Sequence, residues 1–335
     1  MSAEFKILER KDVNAELDER DQFAQDTLAG LLSTPKTFSS KYFYDAKGSE
    51  LFTAITDLPE YYLTKCEYEI LNNEKARIAK YMEGERYNLV ELGAGDGKKT
   101  RILLQYLLEN NIDFRYIPID ISPTYVENLV TSLEKEFPKM EIFGIVSDYF
   151  EGMKWIHRNS SHKIFALMLG SNVGNFSLPQ IDAFFRSLWF SLDNGDYVFT
   201  GFDLVKDIDT LVNAYSDKQG VTAEFNYNLL RRMNKELGAN FNVDQFRHYA
   251  SYDFIDQKME SYLVSLVDQT VEIKALEKKF EFKAWEAVHM EFSRKFSIEK
   301  VAAIADRSGF EVCDYLYDDQ KFFCDSIWKV KKHQL

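Results

Sequence analysis

The stretch that decides the fold is Leu89-Val90-Glu91-Leu92-Gly93-Ala94-Gly95-Asp96-Gly97-Lys98-Lys99-Thr100-Arg101. Its first residues predict a short apolar strand, its three alternating glycines predict a sharp turn, and its last residues predict the start of a helix. A turn of this kind lets a ligand lie against bare backbone at a helix N-terminus. The stretch therefore predicts a nucleotide-type ligand site, although a plain tight turn would have the same composition.

Two classes of nucleotide site use such a turn. A dinucleotide site requires the pattern G-x-G-x-x-G, and Lys98 stands where the third glycine would be. The preceding strand also contains Glu91 near its end, and a carboxylate there would repel a diphosphate but attract a cation. S-adenosylmethionine carries a sulfonium cation and an ammonium group and no phosphate. The stretch therefore favours a methyltransferase over a dehydrogenase.

Composition sets the class of protein. The chain has 335 residues, 45% of them hydrophobic, enough for one large or two modest domains with a sizeable core. Its formal net charge of −13 argues against nucleic acid as a partner and against an anionic membrane surface. Cys66, Cys313 and Cys324 lie far apart and show no metal-ligand spacing. No apolar signal segment or membrane-spanning run is visible, so we expect a cytoplasmic protein with reduced thiols and no metal.

Strands and helices alternate beyond the glycine turn. The predicted elements are strands over residues 115–119, 141–146, 164–169 and 197–202, with helices over 123–137 and 181–192. This order predicts an α/β fold with a mostly parallel, Rossmann-like sheet and helices on both faces.

The periodicity changes after residue 206. Residues 207–237 are predicted to be largely helical, 261–273 and 279–296 resemble strands, and 272–281 resembles a solvated hairpin. Residues 298–307, 310–316 and 327–330 are predicted to return to the sheet as one helix and two strands. We therefore predict two domains, one of residues 69–205 and 296–335, and one of residues 1–68 and 206–295.

Polar residues follow the carboxyl ends of successive predicted strands, where open parallel sheets bind ligands. They are Glu91, Asp120, Asp148, Asn175 and Asp203. Asp120 could accept both hydroxyls of a ribose, and Asp148 with Tyr149 could hold and cover an adenine ring. Each acid could equally be a helix N-cap or a turn residue. Lys99 could bind the methionine carboxylate or be an ordinary solvated lysine.

Several separated blocks resemble the L-histidine Nα-methyltransferases of the ergothioneine pathway. They are Tyr42-Phe43-Tyr44-Asp45 with Gly48-Ser49, Leu58-Pro59-Glu60-Tyr61-Tyr62, the glycine turn with Lys99-Thr100-Arg101, Gly170-Ser171-Asn172-Val173-Gly174-Asn175, Asp203-Leu204-Val205-Lys206-Asp207, Ala214-Tyr215, Gly220-Val221-Thr222-Ala223 with Phe225-Asn226, and Glu291-Phe292-Ser293-Arg294-Lys295-Phe296. The likeness runs from about Lys41 to Phe296 and more loosely to the C-terminus.

The resemblance implies a class I methyltransferase domain that binds S-adenosylmethionine (SAM) and an α+β substrate-binding domain. It implies three methylations of the α-amine of L-histidine to hercynine, the first step of ergothioneine biosynthesis. We expect the protein to be a monomer. The implied site residues are Gly93, Lys99, Asp120, Asp148 and Tyr149 for SAM, Tyr61, Asn175, Tyr215, Glu291, Phe292 and Ser293 for histidine, and Asn175 and Tyr44 for catalysis.

The chemistry of these side chains suits an imidazole-bearing amine. A carboxylate such as Glu291 accepts from an imidazole N–H, and the Ser293 hydroxyl can serve the other ring nitrogen. Without the resemblance, Tyr61 and Tyr62 would be interpreted as a packed corner. Ser261 stands where the resemblance leads us to expect methionine, which could enlarge or polarise the imidazole side. The alternatives are an N-methyltransferase for tryptophan or another amino acid, and a non-catalytic SAM-binding module.

Overall fold

The structure is a computed structural model that describes residues 5–8 and 19–332. The expectations for residues 1–4, 9–18 and 333–335 lie outside the described residues; they concern the lack of a signal segment and the outer ends of the two predicted domains. Within the described ranges, no helix combines the length and the apolar character needed to cross a membrane.

The described residues form fourteen strands and ten α-helices. The strands are β1 (Phe5–Ile7), β2 (Tyr87–Leu92), β3 (Phe114–Asp120), β4 (Glu141–Ile142), β5 (Gly144–Val146), β6 (Lys163–Met168), β7 (Tyr197–Asp203), β8 (Phe246–Asp253), β9 (Lys258–Ser265), β10 (Gln269–Ile273), β11 (Lys278–Phe282), β12 (Ala287–Arg294), β13 (Phe310–Tyr317) and β14 (Phe323–Val330). The helices are α1 (Glu19–Leu32), α2 (Ala46–Thr56), α3 (Tyr62–Ala79), α4 (Thr100–Glu109), α5 (Pro123–Glu136), α6 (Tyr149–Asn159), α7 (Leu178–Phe190), α8 (Ile208–Tyr215), α9 (Val221–Leu237) and α10 (Ile298–Arg307).

The chain divides into two compact units, and the first contains a nine-stranded sheet. This unit comprises Met1–Arg10, Leu63–Val205 and Phe296–Leu335, so far as these residues are described. The strand order is β1-β5-β3-β2-β6-β7-β14-β13, with the short β4 paired to β3. The strands from β1 to β7 run parallel, whereas β14 is antiparallel to both of its neighbours. The predicted α/β class with a mostly parallel sheet is confirmed.

Strand β2 lies at the centre of the sheet, and all six of its residues are buried. A strand covered on both faces is expected to be continuously apolar, and β2 departs from this at Asn88 and Glu91. Asn88 donates from Nδ2 to Ser160 Oγ at 2.8 Å, which compensates part of its burial. Glu91 is treated with the site below, because it lies next to the carboxyl end of the strand.

The second unit comprises Lys11–Tyr62 and Lys206–Lys295, again only as far as these residues are described. Its strands form an antiparallel sheet in the order β12-β9-β8 and a separate β10-β11 hairpin. Strand β9 alternates half-buried and buried residues, as expected for a sheet with one face on a core. That core joins this sheet to α1, α2 and α9 through residues such as Phe225 and Leu263.

The structure corrects several predicted boundaries. The division between the units falls after Tyr62, not after residue 68, because Glu67 of α3 bonds to groups of the first unit. The predicted strand over 141–146 is interrupted at Phe143, whose N–H donates to Tyr116 O at 3.0 Å. The functional roles given to the two predicted domains remain predictions.

The predicted strands of the second unit are also divided. Residues 261–273 contain the end of β9 and all of β10, and residues 279–296 contain most of β11 and all of β12. The break after Ser265 is stabilised by its hydroxyl, which donates to Val267 O at 2.8 Å. The hairpin predicted over 272–281 exists as β10 and β11, but one face is not solvated, because Val271 and Phe280 are buried.

Candidate active site

The glycine turn lies at the carboxyl end of β2, between that strand and α4. Gly93, Gly95 and Gly97 all have positive φ, at 76°, 53° and 63°. Only glycine adopts such angles without strain, which explains the alternating glycines of the sequence. The turn is tied to the sheet because Gly93 N donates to Ile119 O at 2.9 Å.

Two glycines of the turn have different surroundings. A Cβ built on Gly93 would lie 2.6 Å from the Tyr149 hydroxyl, so the absence of a side chain lets this ring approach the backbone. A Cβ built on Gly95 would meet nothing within 4 Å. The backbone at Gly95 therefore borders open space in which a ligand can lie.

Asp120 and Tyr149 lie beside this turn. The Asp120 carboxylate accepts from Ser122 N at 3.0 Å, and Gly95 supplies a further backbone hydrogen bond. Burial raises the pKa of Asp120. Burial, with a smaller effect of the Asp120 charge, raises the pKa of Tyr149 to about 12. The structure thus brings together Gly93, Asp120 and Tyr149, three of the predicted SAM-binding residues.

Asp148 is the N-cap of α6. Its Oδ1 accepts from Phe150 N at 3.0 Å and from Glu151 N at 3.1 Å. Asp148 therefore acts as a helix N-cap, the alternative that the sequence left open, because these bonds satisfy two N–H groups of the first helical turn. A role of Asp148 toward adenine remains a prediction.

Lys99 has a protein partner that the sequence did not indicate. Its ammonium forms an ion pair with the buried carboxylate of Glu67 on α3. Glu67 also accepts from Gly170 N at 2.7 Å, so it joins α3, α4 and the loop after β6. The pKa of Lys99 is raised because the nearby carboxylates outweigh the effect of burial. The interpretation of Lys99 as an ordinary solvated lysine is wrong.

Two further carboxyls lie near this ion pair. Glu91 accepts from Thr100 Oγ1 at 2.6 Å and from the Tyr116 hydroxyl, and burial raises the pKa of Glu91 to about 7. Asp325 on β14 is fully buried, and neither of its carboxylate oxygens has a hydrogen-bond partner. Burial and the Glu67 charge raise the pKa of Asp325 well above its ordinary value. The region therefore contains three buried carboxyls, of which Glu67 is paired with Lys99 and the other two retain their protons to higher pH than an exposed acid does.

Asn175 belongs to the first unit. It ends a 3₁₀ turn over Asn172–Asn175 that follows β6, and it is exposed. The turn is held by Ser171, which has φ of 55° and whose hydroxyl accepts from Asp203 N at 2.9 Å. The other residues predicted to bind histidine all belong to the second unit.

Within the second unit, a β-bulge sets the direction of Glu291. Strands β9 and β12 pair His289 with Tyr262 and Glu291 with Ser261, so one extra residue lies between them on β12. Cross-strand partners share a face, and the extra residue moves Glu291 onto the face of Ser261. Ser293 is opposite Met259 on the same face. Bulges are frequent next to active sites, where they redirect a side chain.

Phe292 does not join these two residues. It pairs with Glu260 on the other face, where the Lys258 ammonium lies 5.5 Å from its ring centroid. Successive residues of a strand point to opposite faces, so Phe292 cannot share the face of Glu291 and Ser293. A role of Phe292 in substrate binding remains a prediction.

Tyr44 lies near Glu291, Tyr61 and Tyr215. Burial raises the pKa of Tyr44 well above its ordinary value, and the charges of Glu291, Tyr61 and Tyr215 act in the same direction. Glu291, Tyr61 and Tyr215 are therefore within electrostatic reach of Tyr44. Burial also raises the pKa of Glu291 to about 7, against an opposing effect of Lys295.

The adjacent elements hold these tyrosines. Tyr44 precedes Asp45, the N-cap of α2, which accepts from Gly48 N at 2.7 Å. Tyr215 ends α8, and its carbonyl lies 3.0 Å from His248 Nε2. The Tyr61–Tyr62 pair is divided. Tyr62 is buried, and its hydroxyl accepts from Lys206 Nζ at 2.8 Å, whereas Tyr61 lies near Tyr44.

Lys295 is a member of this cluster that the sequence analysis missed. Its ammonium donates to the Tyr215 hydroxyl at 2.8 Å and to Ser293 Oγ at 2.9 Å. It follows Glu291 and Ser293 at intervals of two residues, so the strand period alone could have placed it on their face. Glu67 and Asp325 were missed for a different reason, since each is distant in sequence from the glycine turn.

The comparisons with known proteins identify the family of the chain. The sequence model of the family described as histidine-specific, SAM-dependent methyltransferases matches residues 23–330. The chain belongs to this family. A histidine N-alpha-methyltransferase of Mycobacterium tuberculosis is 38% identical over 279 residues, which cover 83% of this methyltransferase and 86% of that protein.

Two other relatives show the breadth of the similarity. N-methyltransferase fsqC of Aspergillus fumigatus is 30% identical, over 86% of this methyltransferase and 78% of that protein. Ergothioneine biosynthesis protein 1 of Neurospora crassa is 25% identical, over 85% of this methyltransferase and 32% of that protein. The resemblance inferred from the sequence blocks is confirmed, and the protein is a SAM-dependent methyltransferase.

The glycine-turn site of this methyltransferase fits SAM. The open space at Gly95 leaves room for a ligand against the backbone, and Asp120 supplies a carboxylate beside it. Of the neighbouring carboxyls, Glu67 is paired with Lys99, and burial raises the pKa of Glu91 and of Asp325, which favours their neutral forms. A dinucleotide is disfavoured by the glycine pattern, in which Lys98 occupies the third glycine position.

Proposed function

We propose that this methyltransferase transfers three methyl groups to the α-amine of L-histidine and forms hercynine, the first step of ergothioneine biosynthesis. The observation that supports this substrate best is the common face of Glu291 and Ser293. A carboxylate and a hydroxyl are the two partners that an imidazole ring needs. The M. tuberculosis relative, a histidine N-alpha-methyltransferase, gives independent support.

The proposed roles of the substrate-binding side chains follow from their chemistry. Glu291 accepts from the ring N–H, and Ser293 bonds to the second ring nitrogen. An apolar side chain in place of imidazole would leave the Glu291 carboxylate without a partner, which opposes its binding. Tyr61 and Tyr215 hold the amino-acid end of the substrate.

Catalysis is proposed to depend on orientation. SAM, when bound, supplies an electrophilic methyl group on a positively charged sulfur. Gly93, Lys99, Asp120, Asp148 and Tyr149 are proposed to hold it. Asn175 and the Tyr44 hydroxyl are proposed to bind and orient the amine of histidine, and such positioning can supply a large part of an acceleration.

The partners and the location of the protein form a separate part of the proposal. The net charge of −13 supports a small-molecule substrate and opposes nucleic acid or an anionic membrane surface as partner. We propose that the protein acts as a monomer in the cytoplasm. Size-exclusion chromatography with light scattering would test the first part, because a dimer would double the measured mass.

Titration and turnover together test the substrate. S-adenosylhomocysteine, the product form of the donor, is bound first, and a panel of amino acids is then titrated by calorimetry. We expect histidine to bind best and to be methylated when SAM is supplied. Binding of tryptophan without histidine would show another substrate in this family, and donor binding without any methylation would show a non-catalytic module.

A further inference from the structure

Lys295 is a buried cation in the proposed histidine site, and neither the family description nor the proposed function gives it a role. It is fully buried, and its ammonium contacts two proposed substrate-binding groups, Ser293 and Tyr215. It also lies 4.6 Å from the Tyr215 ring centroid. A charge in this position costs free energy to bury, so a role beyond packing is expected.

The direction of these hydrogen bonds is fixed by chemistry. A lysine ammonium has three donors and no acceptor, so the Ser293 oxygen must accept from it. The Ser293 proton then points away from Lys295 and is available to an acceptor. A neutral imidazole offers one N–H donor and one unprotonated nitrogen, whereas an imidazolium offers two donors.

We propose, resting on the proposed function, that Lys295 is a specificity-determining and positioning residue that makes Ser293 a donor and so selects the neutral imidazole of histidine. Glu291 accepts from the ring N–H, and Ser293 donates to the other ring nitrogen. An imidazolium would have to direct its second N–H at the remaining lone pair of Ser293, beside the Lys295 ammonium, and this like charge disfavours its binding. The groups that face Lys295 are Glu291, Ser293, Tyr215 and Tyr252.

The first test uses the unaltered protein with S-adenosylhomocysteine bound. Calorimetry compares the affinities of histidine and of 2-fluorohistidine, whose ring stays neutral over the range studied. The protein groups affect both ligands alike, so the ratio of the two affinities reports the ligand ring alone. Between about pH 8 and pH 5.5, histidine should weaken about tenfold relative to the fluorinated ring, because its own ring becomes protonated.

The second test substitutes the lysine. Lys295→Met should weaken histidine binding at about pH 8 by about tenfold, since Ser293 loses its fixed direction, and should remove the pH dependence of the ratio. Lys206→Met is the matched control, because Lys206 donates to the Tyr62 hydroxyl at 2.8 Å in the same unit. Neither variant should change the affinity for S-adenosylhomocysteine.

The outcomes separate this inference from the proposed function. No histidine binding by the unaltered protein would overturn the proposed substrate and this inference with it. Histidine binding with a ratio that does not change with pH would overturn the role of Lys295 alone, whether or not Lys295→Met folds. The role of Lys295 would also be overturned if a folded Lys295→Met variant kept the same pH dependence of the ratio of histidine affinity to 2-fluorohistidine affinity.

Discussion

The two glycines at the start of the turn should respond differently to the same substitution. Gly93→Ala and Gly95→Ala each place an alanine at positive φ, which costs about 1–2 kcal/mol. The Cβ of Gly93→Ala would also lie 2.6 Å from the Tyr149 hydroxyl, and such overpacking costs about 1–3 kcal/mol more. We therefore expect Gly93→Ala to lower the free energy of unfolding by about 2–5 kcal/mol and Gly95→Ala by about 1–2 kcal/mol.

A second substitution separates strain from the steric clash. Removing the hydroxyl in Tyr149→Phe leaves Cζ of the ring as the nearest atom, at 3.5 Å, an ordinary contact. In urea unfolding, Tyr149→Phe should restore part of the loss caused by Gly93→Ala and none of the loss caused by Gly95→Ala. Calorimetry should show that Gly95→Ala lowers affinity for S-adenosylhomocysteine, because its methyl group enters the open space. Equal losses for the two glycines, or equal recovery by Tyr149→Phe, would refute this account of the turn.

Two further predictions concern the buried carboxyls. The folded-state pKa of Glu91 is raised to about 7 from an ordinary 4.5, so the folded protein binds more protons than the unfolded chain between these values. The contribution of Glu91 to the free energy of unfolding should therefore fall by up to about 3 kcal/mol as pH rises through this window. Urea unfolding at pH 5 and pH 8 should show this fall in the unaltered protein and not in Glu91→Gln. The same fall in both proteins would contradict the prediction. Glu291→Gln should weaken histidine binding about 10–100-fold, because a charge-assisted hydrogen bond is lost, and should leave the affinity for S-adenosylhomocysteine unchanged. Calorimetry measures both affinities. Parallel loss of the two would mean that the substrate site is misplaced.

Most of the fold followed from periodicity and turn chemistry. The alternation of strands and helices predicted the parallel sheet, and the helix predicted over 298–307 has the same bounds in the structure. The second unit was less predictable, because its short antiparallel strands are separated by turns whose residues also fit a continuous strand. The break after Ser265 depends on a side-chain hydrogen bond to Val267 that no pattern of hydrophobicity reveals.

The site was predictable where its residues lie close together in sequence. Gly93 and its neighbours follow from the turn itself, whereas Tyr44, Tyr61 and Tyr215 needed the resemblance, because they come from three distant segments. The orientation of Glu291 and Phe292 depends on a bulge, and one inserted residue exchanges the two faces of a strand. Partners such as Glu67 for Lys99 depend on tertiary packing, which local sequence does not report.

The central claim is that the protein methylates the α-amine of histidine. Its most direct test is the mass of the product formed when the purified protein is incubated with SAM and L-histidine. We expect a product heavier than histidine by three methyl groups, with fragmentation that places them on the α-nitrogen. Recovery of unmodified histidine, while another amine in a parallel incubation gains methyl groups, would contradict the account.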